Sequence, residues 1–314
     1  MNSSKLVKFN VLNSVKTFIL ISTMAGIVSL LTYITLGWYF AIAGMIFIPA
    51  VYLLTPSFAP GMLLKYYRAR KLSYTNVPEY NRIIRYLSSK AGLPAMPELY
   101  FIPSEKAAAF ATGDKHNSGI AISAGLMNRL TLNEMAAVLG HEISHIKNND
   151  MRVMWFALTM NRITGLISMI GQALVLINLP LIFFGSFSIS WLTIAILVFA
   201  PTLSYLTQLT LSRIREFSAD MGSAELLGTP EPLISALVKI EYGQGNLFNR
   251  FFFKIRTEKI PSLYMTHPPT IDRIKLLKTF RTGKGPVLNG KYDTQSVPVL
   301  QVKRRLYQNQ PTFF

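Results

Sequence analysis

Two histidines stand four residues apart in "LGHEISHIKNND", residues 139–150, with a glutamate directly after the first. On a helix, positions i and i+4 lie one turn apart on the same face, so His141 and His145 can turn their rings toward one point. Two imidazoles so placed suit a tetrahedral zinc ion. Glu142, offset by one residue, need not ligate; it can serve as general base toward a water that the metal activates. The plain alternative is a pair of helix-surface histidines beside a carboxylate. A helix is well signalled here: Thr131 and Glu134 in "TLNE" form a capping box, and the helix should run to about Asn148.

Two imidazoles do not complete a zinc site. The longer pattern that adds a glycine and a third histidine is absent, because the chain has Asn148 and Met151 at those positions. The remaining histidines are His116 and His267, and there is no cysteine, which excludes thiolate ligation and disulfides. A carboxylate from a later helix is the other option. The segment "LSRIREFSADMGSAELLG", 211–228, reads as such a helix, stopping at Gly228 with Pro230 beyond. Glu216 and Asp220 are i and i+4 within it. Acids at that spacing usually mark a solvated face; because this helix follows an apolar span that leads back toward the first motif, Glu216 as third ligand stands beside that reading, and spacing alone does not separate the two.

The elements that must hold these residues are unusual for a water-activating site. Half of the 314 residues are hydrophobic and 15% are charged, well below the roughly 25% of a soluble domain. Four apolar stretches could cross a bilayer: about Thr17–Leu36, Trp38–Leu54, Val153–Ile177 and Phe187–Leu209. The third contains Asn161 and Arg162. An arginine inside a span is costly unless it snorkels or meets a partner, so this span is expected to lie against protein or to begin later. The first stretch has a basic flank and Ala41-Ile42-Ala43 downstream, but its apolar region is too long for a cleaved signal peptide.

The net charge of +17 comes from 32 Lys and Arg against 15 Asp and Glu. The two short links between paired spans carry no charge, and the basic residues sit in the other connections. By the positive-inside rule both termini and the 55–150 segment are cytoplasmic. Trp38, Tyr39 and Trp191 fall near span ends, where interface aromatics belong. The charge follows topology, which argues against nucleic-acid binding. The expected division is 1–58, a transmembrane hairpin; 59–151, the first part of a catalytic domain; 152–210, a second hairpin; and 211–314, the rest of that domain. "PELYFIP" (97–103), "GIAIS" (119–123) and "AAAFAT" (107–112) read as strands, with a turn in "GDKHNSG". Residues 246–260 mix aromatics with bases, as in a loop or a contact with an anionic leaflet.

"HEISHIKNNDM", "SRIREFSAD" and "MTHPPTIDRI" together resemble the membrane zinc metalloproteases of the HtpX type, relatives of the CAAX prenyl proteases. The resemblance covers about residues 1–280. It implies an α-helical membrane protein of about four spans with a cytoplasmic α+β zincin-like domain split in sequence. It further implies one zinc ion per chain, held by His141, His145 and Glu216, with Glu142 as catalytic base. Asp220 would accept the second N–H of a ligating histidine. His267, in the His-Pro-Pro motif, would help stabilise the oxyanion, or else be an ordinary turn histidine; Arg273 follows it as a supporting residue. One position departs from the family pattern: Ala108 stands where an asparagine at the substrate-side edge is expected. The implied partners are polypeptide substrates, chiefly membrane proteins, and the lipid bilayer. The implied place is the cell inner membrane, in stress-response quality control. Alternatives are a prenyl-peptide protease and an inactive, metal-stabilised scaffold. The sequence specifies no oligomeric state.

Overall fold

A computed structural model describes residues 3–54, 60–73, 77–185, 189–243 and 268–279. Its elements run α1 (Ser3–Leu36), α2 (Trp38–Leu54), α3 (Pro60–Tyr66), β1 (Arg70–Lys71), α4 (Pro78–Ala91), β2 (Glu98–Ile102), β3 (Ala109–Gly113) and β4 (Ser118–Ser123). There follow α5 (Ala124–Arg129), α6 (Leu132–Lys147), α7 (Asp150–Ile177), α8 (Leu179–Phe183), α9 (Trp191–Leu227), α10 (Glu231–Gly243) and α11 (Thr270–Lys278). The chain divides into two compact units: Met1–Val7, Ser57–Met151 and Arg215–Phe314 form one, and Lys8–Pro56 and Arg152–Ile214 the other.

The first unit is built on a mixed sheet in the order β1-β2-β4-β3, with β2 and β4 parallel and the other pairs antiparallel. Alternate residues point to opposite faces of a strand, so the sheet serves two cores. Leu99, Phe101, Ala111, Ile120 and Ile122 pack with the apolar faces of α4, α6 and α10. Ile102, Phe110 and Ala121 face the other way, onto Leu64 of α3. The three strands read from the sequence are β2, β3 and β4; the two-residue β1 is too short to show a period. Between β3 and β4, Asp114 Oδ1 accepts from the amides of His116 (2.8 Å) and Asn117 (2.9 Å), closing the turn.

α6 begins as its capping box requires. Thr131 Oγ1 accepts from the Glu134 amide at 3.4 Å, and the Glu134 carboxylate accepts from the Thr131 amide at 2.8 Å. The same carboxylate also accepts from Ser235 (2.6 Å) and Lys239 (2.8 Å), which ties α10 to the start of α6. The end of α9 lies close against α6. A Cβ on Gly222 would come within 2.5 Å of Ser144 Oγ and 2.9 Å of its Cβ, and one on Gly140 within 3.1 Å of Ser223 Oγ. Ser223 Oγ donates to the Ala137 carbonyl at 2.7 Å across this contact. Lys90 of α4 donates to the Leu226 carbonyl at 2.7 Å, satisfying an orphan acceptor where α9 ends.

The second unit is helical. Among the described residues, three helices, Val7–Leu36, Asp150–Ile177 and Trp191–Leu227, are long and apolar enough to cross a membrane. α2 has 17 residues, about 25 Å at 1.5 Å each, at the lower limit for a hydrocarbon core of about 30 Å. The four spans expected from the sequence thus become three long helices and one short one. Arg162 is exposed on α7, so that helix is not shielded by protein there. Leu31 of α1 packs with Leu197 and Ala200 of α9, and Tyr52 of α2 meets Phe156 of α7 edge-to-face at 5.2 Å. Phe18, Phe47, Ile177 and Phe199 remain exposed, a surface suited to lipid. Within α9, Pro201 cannot donate to the Leu197 carbonyl four residues earlier. Ser168 and Gln172 of α7 donate to that carbonyl instead, Gln172 at 3.0 Å. Freed backbone groups inside a bilayer need such partners.

Gly222→Ala should destabilise the protein by about 1–3 kcal/mol, because Ser144 cannot clear the new methyl without a backbone shift. Gly165→Ala, where nothing lies within 4 Å of the added carbon, should be tolerated. Thermal unfolding in detergent compares the two.

Candidate metal centre

α6 projects His141 and His145 on one face, their rings edge-to-face with centroids 4.6 Å apart. Their Nε2 atoms converge to 3.0 Å. α9 brings Glu216 to the same point: one carboxylate oxygen lies 3.5 Å from His141 Nε2 and the other 3.6 Å from His145 Nε2. A tetrahedral ion with bonds of about 2.0–2.1 Å sets its ligand atoms about 3.3–3.4 Å apart. The three separations bracket that value. Among the described residues, His141, His145 and Glu216 are the group that could hold a metal ion, and all three are buried.

Asp220, one turn after Glu216, lies behind His141, with Oδ1 3.0 Å from Nδ1. Arg273 of α11 grips Asp220 with two nitrogens, Nε to Oδ2 at 2.8 Å and an Nη to Oδ1 at 2.6 Å. Burial works against the Arg273 charge, but Asp220, then Glu216 and Glu142, hold its pKa above the ordinary arginine range. Glu142 is buried on α6 within reach of that field. His267 lies outside the described residues, as does the basic-aromatic run at 246–260.

Asp150 and Arg215, which belong to none of the expected site residues, join this cluster. Asp150 Oδ2 lies 2.7 Å from His145 Nδ1, and Arg215 pairs with Oδ1 of the same carboxylate. The signal was present in "HIKNND": a ligating imidazole needs a partner for its second nitrogen, and an acid stands five residues on. Around the site four buried carboxylates, Glu142, Asp150, Glu216 and Asp220, face two buried guanidiniums, Arg215 and Arg273. The excess of two negative charges suits a divalent cation. The donor set of two imidazoles and one carboxylate suits zinc.

Ala108 is exposed at the mouth of β3. Its amide donates to Ser123 Oγ at 2.9 Å and its carbonyl accepts from the Ser123 amide at 2.9 Å. The departure at this position therefore changes a side chain and leaves the main chain of the edge strand in place.

Residues 75–281 match the family described as Peptidase family M48. The chain belongs to that family. Proteins described as "Protease HtpX homolog" are similar over most of its length. The one from Paraburkholderia phytofirmans is 34% identical over 247 residues, covering 72% of this chain and 83% of that protein. That from Persephonella marina is 30% identical over 295 residues, covering 88% and 100%. That from Thermococcus kodakarensis is 33% identical over 283 residues, covering 84% and 94%. A crystal structure of Ste24p from S. mikatae matches with a TM-score of 0.47 and 20% identity, covering 86% of this chain and 66% of that one. As an M48 peptidase with membrane-length helices, the chain is a membrane zinc metalloprotease, and it contains a His-His-Glu cluster that could hold a metal ion.

His141 links the metal to pH. Burial disfavours its charged form, yet the carboxylates of Asp220 and Glu216 outweigh that and push its pKa up to about 10. The folded value exceeds the unfolded one. Without metal, this proton therefore stabilises the fold in full below about 6.5 and ceases to do so as pH rises through about 10. A metal ion must displace it. Zinc added to the metal-free protein at pH 7 should release about one proton, and zinc affinity should rise with pH toward about 10. Calorimetry in two buffers of different ionisation enthalpy reads the proton count; no release at pH 7 would contradict the charged imidazole.

Proposed function

We propose that this M48 peptidase cleaves polypeptides at the cytoplasmic face of the cell inner membrane, chiefly misfolded or misassembled membrane proteins. The observation that carries the reading is the convergence of His141, His145 and Glu216 within bonding reach of one ion, with Glu142 one residue from the first ligand. The catalytic domain in this reading comprises 59–151 and 211–314, and the hairpins 1–58 and 152–210 anchor it beside its substrates. The excess of basic residues in the longer connections supports the cytoplasmic orientation.

His141, His145 and Glu216 would hold the zinc. Bound there, zinc lowers the pKa of water toward about 7 and polarises a carbonyl. Glu142 would take the proton of the attacking water as it adds to the scissile carbonyl, then pass it to the leaving amine. Asp220, clamped by Arg273, would keep the His141 Nδ1 proton in place so that Nε2 offers its lone pair. His267 is assigned to the oxyanion on the resemblance of its motif alone. β3 ends the sheet and is paired on one side to β4. An extended substrate could be held by main-chain hydrogen bonds at the start of this edge strand, where Ala108 is exposed and Ala109 half-buried, with Ala108 modifying side-chain preference.

Glu142→Gln should retain zinc and lose at least about a thousandfold in kcat on an unfolded protein substrate. Equal activity in the two proteins would remove the protease mechanism. Glu216→Ala should lose zinc, whereas Asp220→Ala should weaken it about 10–100-fold. The reverse order, read by metal analysis after dialysis, would exchange the roles of the two acids.

A further inference from the structure

We infer that Asp150 and Arg215 form a second positioning arm, which fixes His145 as Asp220 and Arg273 fix His141; the inference rests on the metal centre proposed above. Asp150 divides its two oxygens between two tasks. Oδ2 lies 2.7 Å from His145 Nδ1, while Oδ1 pairs with the Arg215 guanidinium through Nε and an Nη. The carboxylate is 1% exposed, so neither oxygen has water as an alternative partner. A carboxylate accepting from Nδ1–H leaves the Nε2 lone pair free, and Nε2 is the atom that faces His141 and Glu216.

The local chain is bent to make this contact. α6 ends at Lys147, and α7 starts at Asp150. The residue between Asn148 and Asp150, Asn149, sits at φ 54°, in the left-handed region that asparagine tolerates better than most side chains. That reversal returns a carboxylate to a histidine five residues earlier, a separation at which a continuous helix would turn the two side chains apart. Arg215 directly precedes Glu216 on α9, so adjacent residues supply the third ligand and the clamp on the second ligand's partner. A buried carboxylate without a cation would be costly, and Arg215 removes that cost. An acid in the first turn of α7 also favours that helix on its own. The two roles differ in what they do to metal binding.

The test uses the full chain in detergent. Zinc affinity is measured by chelator competition, and melting temperatures are measured without metal and at saturating zinc, for the wild type, Asp150→Asn and Arg215→Lys. A positioning arm predicts about 10–100-fold weaker zinc binding in Asp150→Asn, a smaller zinc-induced rise in melting temperature, and an altered visible spectrum of the cobalt-substituted protein. Arg215→Lys, which keeps the charge but not the fork, should lose less than Asp150→Asn. A helix-stabilising role alone would lower both melting temperatures equally and leave zinc affinity within about twofold, and that result overturns the inference. Should Asp150→Asn fail to fold, Arg215→Lys decides: an affinity and cobalt spectrum identical to wild type overturn it. A wild type that binds no zinc would instead overturn the metal centre itself.

Discussion

The close approach of α6 and α9 is the contact on which the site depends. Gly140 and Ser144 of α6 meet Ser223 and Gly222 of α9, with no room for an added methyl between Gly222 and Ser144. Each of those α6 residues is followed directly by a histidine. The packing face and the ligand face are therefore neighbours on one helix, and bringing the backbones together also brings His141 and His145 to Glu216 and Asp220. The bond from Ser223 to the Ala137 carbonyl sets the height at which the two helices meet. A wider spacing would leave room for larger side chains, but the ligand atoms would no longer share an ion.

Burial follows from that proximity and creates the second requirement. Carboxylates out of water need cations or donors, and each imidazole needs a partner for its outer nitrogen. Two arginines from different parts of the chain meet the need, Arg215 next to Glu216 and Arg273 on the last described helix. The cluster still holds more negative than positive side chains, a balance a divalent ion completes and a proton on His141 partly relieves when no ion is bound. Metal binding and protonation at this centre are therefore competing answers to one electrostatic demand.

The apolar helices follow a different rule. In hydrocarbon there is no water to take up a stray carbonyl, so the proline in α9 requires a donor from its neighbour, and Ser168 and Gln172 of α7 provide it. α9 then continues to Leu227 as a single helix, where the sequence pattern had separated an apolar span from a polar ligand helix. Its change from lipid-compatible to charged composition is a change of surroundings and not of secondary structure.

What the sequence determined by itself was whatever rests on local spacing and composition. The pairing of His141 with His145 is a property of 3.6 residues per turn, the start of α6 is written in Thr131 and Glu134, and three strands declare themselves by short apolar, β-branched runs. Membrane character and zinc chemistry were legible because long apolar stretches and the His-Glu-x-x-His motif each have few other uses. The family resemblance already implied that Asp220 meets the outer nitrogen of a histidine; which histidine that is, and the approach of Asp150 to the other, only the tertiary structure decided, because those contacts are set by helix packing and by one bent turn. Asp220 reaches His141 because Gly222 lets α9 come close, and Asp150 reaches His145 because Asn149 reverses the chain. Arg273 lies more than fifty positions from the carboxylate it grips, and no periodicity in the sequence connects the two.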